Sequence, residues 1–400
     1  MFAVMSCYRL FAPLPLLVLI GGAPAPRTDS VVLLHPYEQV TVGNDVPARF
    51  LIESLVGIDP LQPLGDGSNG QTLSLFGRED LIAASSRDFL PQRCRASDDT
   101  RDVMDAILQH ARRTSVVIVN ESHERSEHRG FITDLVARLP PEGYRALAIE
   151  TLANPASDVA EKYWPSFLRE PGLAYFVEVD GFYLREAGFG RLGRTAKRLG
   201  YALIPYEAQH DSKTATLSLD QQIAVREEAQ ANALAAWITA HPGTKLIVHV
   251  GYSHAREVAT AKGSLWMAAR LRAKTGIDPL TISQTTCRGS GTVRRLSMLP
   301  TSEPAGSFDL VVDHPTARFV RGRPAWRIAA GDRAVSIPVE LRPRQGWRVI
   351  EARPDGEPSS SVPMDRVAIR PGEDVALLLP PGRYRLRALT PSLPQVKTPE

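Results

Sequence analysis

From about Asp98 onward the chain alternates short β-branched runs with stretches of helical periodicity, and this alternation restricts the fold more than any other feature of its 400 residues. Strands separated by helices pair in parallel and bury both faces, so an α/β fold is predicted for residues 98–315: a mostly parallel sheet with helices on both faces. Asp99–Arg112 reads as a helix and Ser115–Val119 as a strand. Phe131, Ile132, Leu135, Val136 and Leu139 then recur at helical spacing until Pro140-Pro141, where the missing N–H and the ring stop the helix. The strands Arg145–Ile149, Ala202–Pro205 and Lys245–Val250 follow, with a helix over about Asp220–Ala240 that ends at His241-Pro242-Gly243. A helix near Ser264–Lys274 and the strands Pro279–Ser283 and Phe308–Val312 complete the pattern.

The segments on either side differ. Residues 28–95 show extended-looking pieces at Ser30–Leu34 and Ala48–Leu55 and a turn cluster at Gly65–Gly70, and read as an N-terminal extension wrapping the domain. Beyond about Thr316 the helical periodicity disappears. The last hundred residues hold 14 of the 32 prolines, too many for interior helices, and carry the alternating runs Val335–Leu341, Trp347–Ala352, Arg366–Ile369, Val375–Leu379 and Tyr384–Leu389. A small β-sandwich-like module over 317–392 fits this pattern; an irregular extension is the alternative.

Met1–Ala25 has the layout of a secretory signal: Arg9, the apolar run Leu10–Ile20, and an Ala23-Pro24-Ala25 end. An uncleaved anchor is the alternative reading, although the run falls short of the roughly 20 residues that span a bilayer. Export to a periplasmic or extracellular compartment follows from the signal, with no transmembrane helix in the mature chain. Cleavage would remove Cys7 and leave Cys94 and Cys287, either as one disulfide or as two unrelated buried thiols. A formal net charge of +3, from 47 basic against 44 acidic residues, gives no electrostatic case for nucleic acid. With 43% hydrophobic and 23% charged residues, the chain is neither a polytopic membrane protein nor wholly disordered.

Ligands of parallel α/β sheets bind outside the carboxyl ends of the strands. Here the strand at 115–119 runs into Asn120-Glu121-Ser122-His123, and the strand at 145–149 into Glu150. The strand at 202–205 runs into Tyr206-Glu207, and the strand at 245–250 into Gly251-Tyr252-Ser253-His254. A single histidine or glutamate at such a place is ordinarily a satisfied loop residue. Four successive strand exits carrying three carboxylates and two imidazoles mark one rim as a functional site, because so much charge beside a buried sheet must pair, shift its pKa or hold a metal.

These residues resemble a superfamily that joins erythromycin esterases, ChaN-type haem-binding uptake proteins and the Tiki/TraB proteins. The resemblance covers about Ser115–Thr285. Glu121 and His123 match its first motif, Glu150 its strand-end glutamate, His254 its second motif and Arg226 its helix arginine. The first glycine of the pattern is Asn120 here, a residue that tolerates a left-handed turn, and the Met-Ala of the helix pattern is Gln230-Ala231.

The resemblance implies hydrolysis of an ester or related bond in a small-molecule substrate, or haem binding without catalysis. Two mechanisms are open. In one, His123 activates water, oriented by Glu121 or Glu150, while His254 or Arg226 stabilises oxyanion charge and Glu207 supports the site. In the other, His123, His254 and Glu121 hold a divalent ion and Glu150 accepts the proton. For haem, His128, Tyr183 and Tyr252 are the candidate ligands, with an exposed first-turn position as the alternative for His128 and ordinary packing as the alternative for the two tyrosines. His249 alternates with apolar strand residues and is placed on the opposite sheet face. A third reading leaves the site degenerate and gives the C-terminal β-module a binding role. No Gly-x-Ser-x-Gly elbow occurs, which disfavours a serine nucleophile.

Overall fold

The computed structural model describes residues 29–44, 46, 49–59, 67–209, 214–260 and 263–392. The proposed signal and Cys7 lie outside the described residues.

The first strand, β1 (Val31–Thr41), precedes the α/β domain. The domain then runs α1 (Val103–Ala111), β2 (Val116–Glu121), α2 (Ser126–Arg138), β3 (Tyr144–Ile149), α3 (Ala187–Arg198), β4 (Ala202–Ile204) and α4 (Leu219–Ala240). It continues with β5 (Lys245–Gly251), α5 (Met267–Thr275), β6 (Leu280–Ser283), β7 (Arg295–Ser297) and β8 (Leu310–Asp313). The seven strands β2 to β8 form one sheet in the order β4-β3-β5-β2-β6-β8-β7. All its pairings are parallel except β7 with β8.

Alternation along the strands assigns the two faces. Val117, Val119, Leu147, Ile149 and Ile247 pack with α1, α2 and α3, whereas Val116, Ile118, Ala148, Val248 and Val250 pack with α4 and α5. Both faces are thus covered, which is why these strands read as near-continuous apolar runs. The chain builds outward from β2 through β3 to β4 and then returns through α4 to insert β5 between β3 and β2. That reversal places β4, β3, β5 and β2 side by side.

Besides a short antiparallel pair, Phe319–Val320 with Arg323–Pro324, the remaining strands are β9 (Arg333–Ser336), β10 (Arg348–Pro354), β11 (Asp365–Ile369), β12 (Ala376–Leu379) and β13 (Gly382–Thr390). They form a four-stranded sheet in the order β1-β13-β10-β11 and a pair β9-β12. Ile350, Val367, Leu377, Leu379 and Leu386 from both share one apolar cluster. β1 pairs in parallel with β13 along its length, so the start and end of the described chain lie in one sheet. One short helix, Ala325–Ala329, interrupts the C-terminal segment.

The N-terminal segment departs from the sequence reading. Arg49–Ser54 is helical rather than extended, because Leu51, Ile52 and Leu55, one helical turn apart, bury together against Trp347 and Val349. The described end of the expected turn cluster, from Gly67, starts a helix over Gly67–Leu75. Cys94 and Cys287 form a disulfide with a Cα–Cα distance of 5.7 Å, joining this segment to the loop after β6.

Candidate active site

The sheet order brings four carboxyl ends to one continuous rim: Glu207 follows β4, Glu150 follows β3, Gly251 to His254 leave β5, and Glu121 to His123 leave β2. Glu121, the last residue of β2, is buried on the α2 side. Its Oε1 lies 3.0 Å from His123 Nδ1, and its Oε2 accepts from Arg129 Nη1 at 3.0 Å and lies 3.1 Å from His249 Nε2. Arg129 Nε donates to Glu186 Oε2 at 2.7 Å, and Arg129, His249 and Glu186 are all buried. Burial alone would push the Glu121 carboxyl up. The Arg129 guanidinium, His249 and the hydrogen bond with His123 outweigh it and hold the group well below the usual carboxylate range.

An ionised carboxylate only accepts, so its bond assigns the proton of His123 to Nδ1 and leaves Nε2 as the acceptor. Tyr183 stacks on the imidazole with centroids 4.6 Å apart, and Tyr252 meets it edge-on at 5.1 Å. Burial opposes protonation of His123, but the hydrogen bond and charge of Glu121 and the charge of Glu150 raise its pKa above the ordinary value.

Glu150 reaches the same point from the other side of β5. Its Oε2 accepts from Gly251 N at 2.7 Å. A Cβ on Gly251 would stand 2.7 Å from His123 Cε1, 2.9 Å from Nε2 and 3.0 Å from Glu150 Oε2. Glycine is therefore what allows the imidazole and the carboxylate to meet over the end of β5.

Arg226, on α4, donates from Nε to Glu207 Oε1 at 2.9 Å and from Nη2 to Glu207 Oε2 at 2.5 Å and to Glu150 Oε1. Its Nη1 stands 3.2 Å from His254 Nε2. His254 Nδ1 contacts buried Glu227, whose Oε2 accepts the backbone N–H of Met267 at 2.6 Å, at the start of α5. Two carboxylate–imidazole pairs, Glu121 with His123 and Glu227 with His254, thus flank the Glu150–Arg226–Glu207 group. Burial pushes Glu150 up, yet His254, Arg226 and His123 together bring it below its ordinary value. A cleft of about 1110 Å³ opens on this group, lined by Glu150, Glu207, Arg226 and Tyr183 and by apolar side chains including Phe182 and Leu219.

Several sequence expectations change. Among the described residues no group of three His, Cys, Asp or Glu side chains is arranged to hold a metal ion. His123, His254 and Glu121 do not form a ligand set, because Glu121 is committed to Arg129 and His249 while His254 faces Glu227 and Arg226. His128 does not fit a haem ligand: it is buried, its Nδ1 accepts from Ser122 N at 2.9 Å, and its other side packs near His314. Tyr252 gives its phenol to Asp88. Asn120 lies within β2 rather than in a left-handed turn and works through its side chain, donating to the Tyr252 carbonyl at 2.6 Å and accepting from Gln284 N at 2.7 Å. Arg226 is matched by two carboxylates and so brings compensated charge, not a free cation for an oxyanion.

The sequence reading missed Arg129, Glu186 and Glu227 and gave His249 no role. The first had a signal: Arg129 shares the helical stripe of Ile132 and Val136, where a charged residue needs a buried partner.

No protein-family model and no curated protein matches this sequence. Among solved structures, the type III effector HopBA1 is 17% identical with a TM-score of 0.35, over 57% of this chain and 99% of that one. ChaN of Campylobacter jejuni, in a structure titled for cofacial haem binding, is 11% identical with a TM-score of 0.36, over 53% and 91%. RRSP, a MARTX toxin effector domain from Vibrio vulnificus, is 14% identical with a TM-score of 0.34, over 66% of this chain and 53% of that one. At these scores the likenesses assign this chain neither a ligand nor a reaction. Among the described residues no helix is long and apolar enough to cross a membrane.

Proposed function

We propose that the protein is a hydrolase of ester-type or related bonds in which His123 is the general base. The observation that carries the reading is the Glu121–His123 pair, in which buried Glu121 ties Nδ1 and leaves Nε2 over the end of β5 with Glu150, a residue that lines the cleft. His123 Nε2 takes a proton from water as the water oxygen attacks the carbonyl carbon, and returns it to the leaving oxygen as the carbonyl–oxygen single bond breaks. Glu121 orients the imidazole and stabilises its protonated form. Arg226 is a positioning residue that holds Glu150, Glu207 and His254 together. The Cys94–Cys287 bond supports the further reading that the chain works after export, in an oxidising compartment. We read the four-stranded sheet and the β9-β12 pair, with the cluster they share, as a sandwich-like module.

Aryl esters and lactones of graded size provide the assay. His123→Ala is expected to lower kcat by roughly 10²–10⁴-fold with an unchanged circular dichroism spectrum. Unaltered turnover in a folded variant would overturn the assignment.

A further inference from the structure

The N-terminal segment reaches the surroundings of His123 from outside the sheet. Asp88 Oδ2 accepts the Tyr252 phenol at 2.7 Å and also the Ser122 hydroxyl. Close by, Ser86 donates to the Glu124 carboxylate, and Ser74 Oγ donates to the Glu124 carbonyl at 2.8 Å. A Cβ on Gly70 would stand 2.4 Å from Glu124 Oε1, so the segment is seated on the loop after β2 with no gap. Gln71, from the same segment, faces the Tyr183 phenol.

Tyr252 is also one of two described non-glycine residues with positive φ, at +34°. For a residue with a Cβ this backbone is strained and persists only where its surroundings impose it. Here both ends of the residue are pinned: Asn120 holds its carbonyl and Asp88 its phenol. The strained turn sets the ring edge-on to His123, while Tyr183 covers a face of the same imidazole. His123 is thereby fixed by Glu121 at Nδ1 and by two aromatic rings. One of those rings is held by a carboxylate six residues ahead of the Cys94–Cys287 bond.

We infer that Asp88 is a positioning residue of the site, fixing the His123 imidazole through Tyr252, so that the N-terminal segment is a working part of the active site. The inference rests on His123 being the base.

The test uses the full-length oxidised protein and the aryl ester that wild type turns over fastest. Asp88→Ala and Tyr252→Phe should each lower kcat about tenfold, the scale of a sub-ångström misplacement of a catalytic group, with KM within about twofold. The double variant should be no slower than either single, because both remove the same link. Asp88→Asn, whose carbonyl oxygen still accepts the phenol, should recover part of the loss, and Ser122→Ala, which removes one hydroxyl from Asp88 but leaves the phenol bond, should lose less than Asp88→Ala. Multiplicative losses in the double variant, a Ser122→Ala that reproduces Asp88→Ala, or no loss at all would overturn the inference.

A readout independent of turnover keeps the two proposals separable. In ¹⁵N NMR spectra the His123 Nδ1–H should exchange slowly in wild type and broaden in Asp88→Ala and Tyr252→Phe, and less in Ser122→Ala. If no ester is hydrolysed yet this pattern holds, the base assignment fails and the positioning link stands. If esters are hydrolysed and the signal is unmoved in Asp88→Ala, the positioning link fails alone.

Discussion

Replacing Gly251 by alanine adds a single methyl group at the most crowded point of the site. The new Cβ would stand 2.7 Å from His123 Cε1 and 2.9 Å from Nε2, against 3.4 Å for ordinary contact, so the imidazole has to retreat by about 0.7 Å. A flexible side chain could do this cheaply. His123 is held at Nδ1 by Glu121 and bounded by Tyr183 and Tyr252, so its retreat breaks contacts or moves the end of β5. A displacement near 1 Å at a reacting group costs about 100-fold in rate, equivalent to about 2.7 kcal/mol of transition-state stabilisation. Overpacking of this kind destabilises the fold by about 1–3 kcal/mol. The expected result is a kcat/KM for aryl ester hydrolysis about two orders of magnitude below wild type, with Tm lowered by about 2–6 °C. Gly172→Ala is the control, since a Cβ there meets nothing within 4 Å. If Gly251→Ala kept a third or more of the wild-type kcat/KM, the convergence of His123 and Glu150 over β5 would not be what sets the rate.

Further consequences can be measured directly. Because His123 must lose its proton to act as a base and its pKa is raised, the rising limb of the kcat/KM–pH profile should have its midpoint above the ordinary 6.5; a midpoint below that value would contradict the charge environment described here. The disulfide closes a loop with a sequence separation of 193, for which the chain-entropy model gives about 5 kcal/mol, so Cys94→Ser/Cys287→Ser should lower the denaturant midpoint substantially; an unchanged midpoint would show that the bond does not restrict the unfolded chain. Glu79 is buried and, mainly through that burial, its pKa rises to about 7 from an ordinary 4.5. The native state therefore binds more protons than the unfolded chain between these values, and stability contributed by the protonated group is present at low pH and lost as pH rises toward 7. Glu79→Gln should match wild type near pH 4 and exceed it at pH 8 by up to about 3 kcal/mol; equal urea stability at both pH values would count against a buried, neutral Glu79.

The rim of the site was legible because strand exits are read one at a time: Glu121, His123, Glu150, Glu207 and His254 each end or follow an apolar run, and a parallel sheet sends such residues to the same edge. What the sequence did not show was which strands would be neighbours. The insertion of β5 between β3 and β2 sets the pairing of Glu150 with both imidazoles, and strand order is a long-range property with no local signal. The charged residues behind the rim were hidden for a related reason. Arg129 comes from α2, Glu186 caps the start of α3 and Glu227 comes from α4, and each looks like an ordinary helix charge or cap until the opposing element is known. The N-terminal segment was hardest to read, since Leu51, Ile52 and Leu55 suit a buried strand almost as well as a short helix. Its tie to the site runs through single side chains such as Asp88 rather than through any periodic pattern.

The charge balance beneath the rim bears on two proton sites, Glu79 and the proposed base His123. On the α2 side three buried carboxylates, Glu79, Glu121 and Glu186, surround one buried guanidinium, Arg129. An interior of low dielectric cannot hold that excess of negative charge without protons or further cations. Glu79 meets part of the demand by keeping its proton up to about pH 7, and His123, beside Glu121 and Glu150, binds one above its ordinary pKa. Glu121, tied directly to Arg129 and close to His249, stays ionised. The same arrangement that strengthens His123 as a base therefore reduces the fraction of it that is free at neutral pH. Replacing Glu79 by glutamine removes a carboxylate that can ionise near Arg129 and leaves the Glu121–His123 contact in place, so it should move the activity limb toward lower pH as it raises stability. A variant that gained stability at pH 8 without any movement of that limb would show that the two proton sites respond to separate fields.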